Sequence, residues 1–289
     1  MARQVAASEE GAGEGLAPNE APPFGGEADA SVGDMPSPAP SAPEAAQRLA
    51  LLIQQSSSTV VLTGAGISVP SGIPDFRSPG TGIWENVDPF EVATIDAFHR
   101  DTKRFWEFYR PRFETLSDKR PNAAHEAVAE LERRGLVEAV VTQNIDRLHH
   151  RAGSERVIEV HGSIASSSCT TCGASWPLER VETLFGDDGV AECTGCMGKV
   201  KPDVVLFGEL LPEAAMTEAR DLAMNAELML CVGSSLEVYP VAGLPELTMA
   251  AGGKVAIVTQ GPTPYDGEAD IRMSGEVVDD LAAVLAALD

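Results

Sequence analysis

Positive charge is what this 289-residue chain has least of: 21 Lys and Arg stand against 44 Asp and Glu, a formal charge of −23. Residues 1–44 hold eight of the acids and one base, so the rest is acidic as well, at 36 against 20. Such a surface repels phosphates, which argues against nucleic-acid binding; it suits basic partners such as lysine-rich segments, while a surface that serves only solubility explains it more commonly. Long apolar runs are missing too. No stretch approaches the ~20 apolar residues that cross a bilayer, and no basic-then-apolar leader opens the chain, so no membrane partner is expected. Five cysteines, four of them in two tight pairs, do not make a disulfide framework. A reducing, cytoplasmic setting is expected.

What is present divides the chain. Residues 1–43 are Ala, Gly, Pro, Ser and Glu with a single Phe, too little apolar surface to offset ordering entropy, and read as a disordered tail. Glu44 to Ile53 has the spacing of an amphipathic helix. Apolar runs at 59–63, 137–142, 157–160, 203–207, 227–232 and 254–259 then alternate with helical patterns near 101–117, 122–134, 212–225 and 276–288. Asn122 and Gly135 cap the second of these helices, and Pro212 suits the first turn of the third. This alternation predicts an α/β fold with a parallel sheet covered on both faces. The segment 163–200 breaks the rhythm. The expected division is therefore a large domain from 44–165 and 201–289, interrupted by a small module at 166–200.

The most informative stretch is Thr59-Val-Val-Leu-Thr-Gly-Ala-Gly-Ile-Ser68, followed by Gly72-Ile-Pro-Asp-Phe-Arg-Ser78. A β-branched strand running into Gly64, Ala65, Gly66 and Ile67 can bring backbone N–H groups to a pyrophosphate. The spacing departs from G-x-G-x-x-G, and a tight turn with no ligand explains the glycines equally well. The charged and aromatic residues Asp75, Phe76 and Arg77 at its exit favour a site, since a plain turn needs none of them. Ligands collect where parallel strands end, and polar residues follow several strands: Gln143, Asn144, Ile145 and Asp146; His161; Gly233, Ser234 and Ser235; Thr259 and Gln260. Taken singly, each of these is ordinary turn chemistry. His161, after a strand and before a glycine, can accept a proton near neutrality, whereas His99, His125, His149 and His150 lack such company and read as surface or packing residues.

Cys169-Thr-Thr-Cys172 and Cys193-Thr-Gly-Cys196, 20 residues apart, form two C-x-x-C knuckles with the spacing of a tetrahedral S₄ zinc site. Four thiolates leave no open position, so the one Zn²⁺ expected is structural, supplying ~10–16 kcal/mol to a segment with few apolar residues. Cys231, within Leu228-Met-Leu-Cys-Val232, reads as a small buried hydrophobe.

Together these blocks, with Lys201-Pro-Asp-Val-Val-Leu-Phe-Gly-Glu209 and Gly233-Ser-Ser-Leu236, resemble the sirtuin family of NAD-dependent protein lysine deacylases, from about Ala45 to the C-terminus. The resemblance implies a Rossmann-like domain, a zinc-ribbon domain, and a cleft for NAD and an acyl-lysine peptide. It places Gly64, Ala65, Gly66 and Ile67 on NAD, with Asp75, Phe76 and Arg77 on a cofactor loop. Gln143, Asn144, Ile145 and Asp146 then surround ribose and nicotinamide, and Gly233, Ser234 and Ser235 the adenosine half. His161 is the general base beside Asn144. Val205, Leu206, Phe207, Gly208 and Val238 pair with the substrate backbone.

Two departures stand out. Thr259 occupies a position where the family usually has Asn, with Gln260 able to share the contact. Tyr109 and Arg112 repeat the spacing by which the desuccinylase branch holds an acidic acyl group, although a solvated helix face explains them as well and Pro111 disturbs that helix. Acetyl is thus the expected acyl group and a succinyl-type group the alternative, with a monomer as the expected state. Mono-ADP-ribosyl transfer and a non-catalytic NAD-binding zinc module are the rival functions.

Overall fold

Ser41 opens the folded region: its N–H and hydroxyl both reach the Glu44 carboxylate at 2.8 Å, and Pro43 fits the first turn of helix α1 (Ala42–Gln55). The computed structural model describes residues 41–75, 82 and 87–289, so the expected tail at 1–43 lies almost wholly outside the described residues. The helices that follow are α2 (Pro89–Val92), α3 (Ile95–Arg100), α4 (Thr102–Asp118), α5 (Ala123–Arg133), α6 (Leu148–Ala152), α7 (Leu178–Val181), α8 (Glu213–Asn225), α9 (Leu244–Ala250) and α10 (Val277–Leu288). Helix α4 runs through Pro111 without a break.

Six parallel strands form the main sheet: β1 (Thr59–Thr63), β2 (Ala139–Thr142), β3 (Val157–Glu159), β7 (Leu228–Val232), β8 (Lys254–Val258) and β9 (Ile271–Met273). Their order is β3-β2-β1-β7-β8-β9, so the chain builds outward from β1 on one side and then returns to build on the other. Every residue of β1, β2 and β7 is buried, as expected of strands covered on both faces. One apolar layer joins Leu49 and Ile53 of α1, Val128 and Leu131 of α5 and Leu281 of α10 to the sheet; the other joins Met216 and Leu222 of α8 and Leu244 of α9.

A second, antiparallel sheet has the order β5-β4-β6: β4 (Gly162–Cys169), β5 (Ser175–Pro177) and β6 (Val200–Val204). The strand expected at 203–207 is here corrected. Its regular part is β6, which belongs to the small sheet and alternates between buried and half-buried residues. Pro202 is tolerated because β6 is an edge strand. Strand β9 was missed because three residues with Arg272 at their centre carry no apolar period.

The small sheet does not fill its own core. Phe98 of α3 and Phe105, Trp106 and Phe113 of α4 pack with Ile164, Val181, Leu184 and Leu206. The rings of Phe98 and Phe105 sit 5.0 Å apart edge to face, and the Trp106 indole N–H donates to the Val200 carbonyl at 3.2 Å. Much of the chain's sparse aromatic content is spent in this cluster.

Candidate functional site

Strand β1 and its neighbour β7 mark the reversal of strand order, where loops diverge and a crevice opens. The two loops touch backbone to backbone. Gly66 N–H donates to the Gly233 carbonyl at 2.8 Å, and a Cβ on Gly66 would lie 2.7 Å from that oxygen. Gly233 has φ +61°, and a Cβ there would sit 2.2 Å from the Ile67 nitrogen. Close approach therefore demands these glycines. After Gly64 the chain turns as a 3-10 helix over Ala65–Ser71. Among the described residues, the Ala65 N–H and the exposed Ser235 hydroxyl have no hydrogen-bond partner, which suits a ligand carrying phosphate oxygens.

The end of β2 feeds the same crevice. Gln143 uses both ends of its peptide unit and side chain: its amide donates to Ser234 Oγ at 2.9 Å, while its backbone carbonyl lies 3.1 Å from His161 Nδ1. A carbonyl only accepts, so Nδ1 carries the proton and Nε2 keeps its lone pair. Burial lowers the His161 pKa and the Gln143 carbonyl pulls it partly back, leaving a neutral base at pH 7. Asn144 is pinned through its side-chain N–H groups, to the Gly64 carbonyl at 3.0 Å and Ser68 Oγ at 3.2 Å, so its amide oxygen is left for a ligand.

Beneath these residues lies a buried polar layer. Ser68 donates to Asp146 Oδ2 at 2.7 Å, and Asp146 Oδ1 accepts the Leu148 N–H at 2.8 Å in the turn that leads into α6. Burial raises the Asp146 pKa while both bonds oppose the rise. Of the two readings given to His125 and His149, surface or packing, the structure shows packing, and it adds polar partners. His125 Nε2 sits 3.4 Å from Ser68 Oγ, His149 Nε2 sits 3.0 Å from Thr63 Oγ1, and the two rings meet at 5.0 Å. Both are fully buried, which depresses their pKa values to about 4 and about 3. One signal existed in the sequence: His125 is the third residue after the cap Asn122, and its Nδ1 accepts the Asn122 N–H at 3.4 Å. His99 is exposed, as expected.

The other sequence candidates fall in different surroundings. Val205 N–H donates to the His161 carbonyl at 2.9 Å, and Phe207 bridges in parallel to Thr94, so 205–208 run beside the catalytic candidate. Ile145 packs against the aromatic cluster, and Val238 is half-buried on the loop after Ser235. Thr259 is half-buried at the end of β8; Gln260 is committed to Glu276, at 2.7 Å. Asp75 is half-buried, while Phe76 and Arg77 lie outside the described residues. Tyr109 stacks between Phe105, at 4.5 Å, and Phe113, at 5.4 Å. Arg112 lies 3.5 Å above the Phe108 ring and donates to the Phe108 carbonyl, so its fork is folded onto its own helix.

Cys169, Cys172, Cys193 and Cys196 converge with all four sulfurs within 4.8 Å of one another. The Cys169–Cys196 and Cys172–Cys193 separations of 3.5 and 3.6 Å approach the ~3.8 Å edge of a tetrahedron with Zn–S bonds of ~2.3 Å. The Thr171 and Gly195 N–H groups point at Cys169 and Cys193 sulfur at 3.4 Å, stabilising thiolates. The donor set fits zinc.

Comparison with known proteins agrees with this geometry. A family model described as the Sir2 family matches residues 64–240. The NAD-dependent protein deacetylase 1 of Geobacillus kaustophilus is 47% identical over 235 residues, covering 80% of this chain and 95% of that protein. The NAD-dependent protein deacetylase of Thermotoga maritima is 44% identical over 228 residues, covering 79% and 92%. A solved structure of Sir2 with a p53 peptide and NAD⁺ superposes with a TM-score of 0.77 at 42% identity, covering 83% of this chain and 96% of that one. A second, with deacetylated p53 peptide and 3′-O-acetyl-ADP-ribose, gives 0.79 at 43%, covering 83% and 97%.

Proposed function

The chain belongs to the Sir2 family, and from that premise we propose that the crevice at the carboxyl end of the parallel sheet is its deacylation site. The protein is an NAD-dependent protein lysine deacylase, yielding nicotinamide and O-acyl-ADP-ribose, with structural zinc in its small domain. The observation that carries the assignment of roles is the bond from His161 Nδ1 to the Gln143 carbonyl, which leaves Nε2 as the basic nitrogen.

NAD supplies an electrophilic ribose carbon and a leaving nicotinamide. His161 takes the proton of a ribose hydroxyl at Nε2 while Nδ1–H stays on Gln143. Asn144 presents its amide oxygen to the ribose, held by its two N–H bonds. Ala65, Gly66 and Ile67 line the pyrophosphate with the Ala65 N–H as donor, and Asp75, Phe76 and Arg77 form the loop over the cofactor. Ser235 and Thr259 serve the adenosine half. Residues 205–208 and Val238 flank the peptide as an added strand, a mode that reads backbone and tolerates many sequences. Acetyl is the proposed acyl group, and a cytoplasmic monomer without nucleic-acid partners the proposed state.

Incubating an acetyl-lysine peptide with labelled NAD tests this directly. Label should appear in free O-acetyl-ADP-ribose, and His161→Ala should lower turnover by ~10²–10⁴-fold. Label on protein, or undiminished turnover in His161→Ala, overturns the assignment.

A further inference from the structure

The segment proposed to pair with the substrate is not part of either sheet, and something must hold its shape. Lys201, the second residue of β6, and Glu209 bracket it. The Lys201 ammonium places its three hydrogens on either side of this segment: on the Pro202 carbonyl at 3.0 Å and the Val204 carbonyl at 2.7 Å before it, and on Glu209 Oε2 at 3.0 Å after it. The same Glu209 oxygen accepts the Leu206 N–H at 2.8 Å. Side-chain exposures of 14% and 23% take the pair largely out of water, where an ion pair is screened less than at the surface.

The effect on the backbone is specific. Val205 N–H is bound to the His161 carbonyl and Phe207 N–H to the Ala93 carbonyl, while Phe207 O accepts the Ile95 N–H. Leu206 N–H, between them, is taken by Glu209 instead of by a strand. Among the described residues, the Val205 carbonyl and both the N–H and the carbonyl of Gly208 keep no partner. Two acceptors and one donor are thereby left for a passing chain, at positions three residues apart.

We propose that Lys201 and Glu209 are positioning residues for the substrate: they clamp 205–208 into the register in which its free backbone groups meet the peptide beside His161. This rests on the deacylase reading above. Neither residue is among those proposed for NAD or for the acyl group, so removing the pair should weaken capture of the peptide and leave the cofactor alone.

Steady-state kinetics on an acetyl-lysine peptide, with NAD varied separately, tests the clamp in Glu209→Ala, Glu209→Gln and Lys201→Met. Glu209→Ala and Lys201→Met should raise the peptide KM by about tenfold or more, with kcat at saturating peptide and KM for NAD within about twofold. Glu209→Gln, which keeps an acceptor for Leu206 N–H but loses the charge, should fall between Glu209→Ala and the unaltered protein. Zinc content and Tm, measured alongside, should hold. Equal changes in both KM values, a fall in kcat with lost zinc or Tm, or unchanged peptide KM in all three variants overturns the clamp while leaving the deacylase reading intact. An unaltered protein that turns over no acetyl peptide overturns that reading, and the clamp with it.

Discussion

His161 shows how one backbone carbonyl decides a residue's chemistry. Because Gln143 O fixes the tautomer and burial lowers the pKa, the acid limb of the kcat/KM profile should have its midpoint below 6.5, with full activity at neutrality; an acid limb above 6.5 would contradict this. His125 and His149 make a separate prediction about stability. Both are held neutral when folded, with pKa values of about 4 and about 3, but protonate near 6.5 when unfolded. Between those values the unfolded chain binds more protons, so stability falls as pH drops from about 6.5 towards 4, by up to ~1.4 kcal/mol per pH unit per histidine. Thermal melts across pH 4–7.5 should show this decline, and His149→Gln should make it shallower.

At the scale of elements, the small sheet and the loop carrying His161 are joined at Gly162. It has φ +72°, and a Cβ would lie 2.1 Å from the Asp203 carbonyl. Gly135 shares the backbone conformation, at φ +71°, with nothing within 4 Å. Gly162→Ala should therefore destabilise by ~2 kcal/mol or more beyond Gly135→Ala, a difference that isolates the collision from backbone strain. Denaturant titration of the two variants measures it. The four cysteines hold the other end of this sheet. Chelation should release one zinc per chain, loosen the ribbon and abolish deacylation, with Cys172→Ala behaving alike; full activity in a metal-free preparation would argue against structural zinc.

At the scale of the whole molecule, the proposed preference for acetyl follows from how Tyr109 and Arg112 are packed. Arg112 is engaged with Phe108, and Tyr109 is buried enough that its hydroxyl is held strongly in the neutral form. Acetyl-lysine should thus be turned over faster than succinyl-lysine. Arg112→Met should spare acetyl turnover; if it removes a substantial succinyl rate, the guanidinium serves as the carboxylate clamp after all. Five of the six main-sheet strands, the glycine turn and the cysteine cluster were legible beforehand because each depends on local pattern: β-branched runs, small residues after a strand, cysteines with two residues between them. The buried histidines and the joint small-domain core were not, because both need partners far along the chain. Thr63 and His149 are 86 residues apart, and Trp106 and Val200 are 94 apart.

The alternation of the main strands and longer helices, the acidic composition and the identity of the clustered cysteines follow from residue type and spacing, which act over a few neighbours and need no fold to be read. Which nitrogen of His161 is basic, which carbonyls in 205–208 stay free, and which helices complete the ribbon's core were decided only when distant segments met. Hydrogen bonds of that kind fix direction and register, quantities that a linear pattern of polar and apolar residues does not contain.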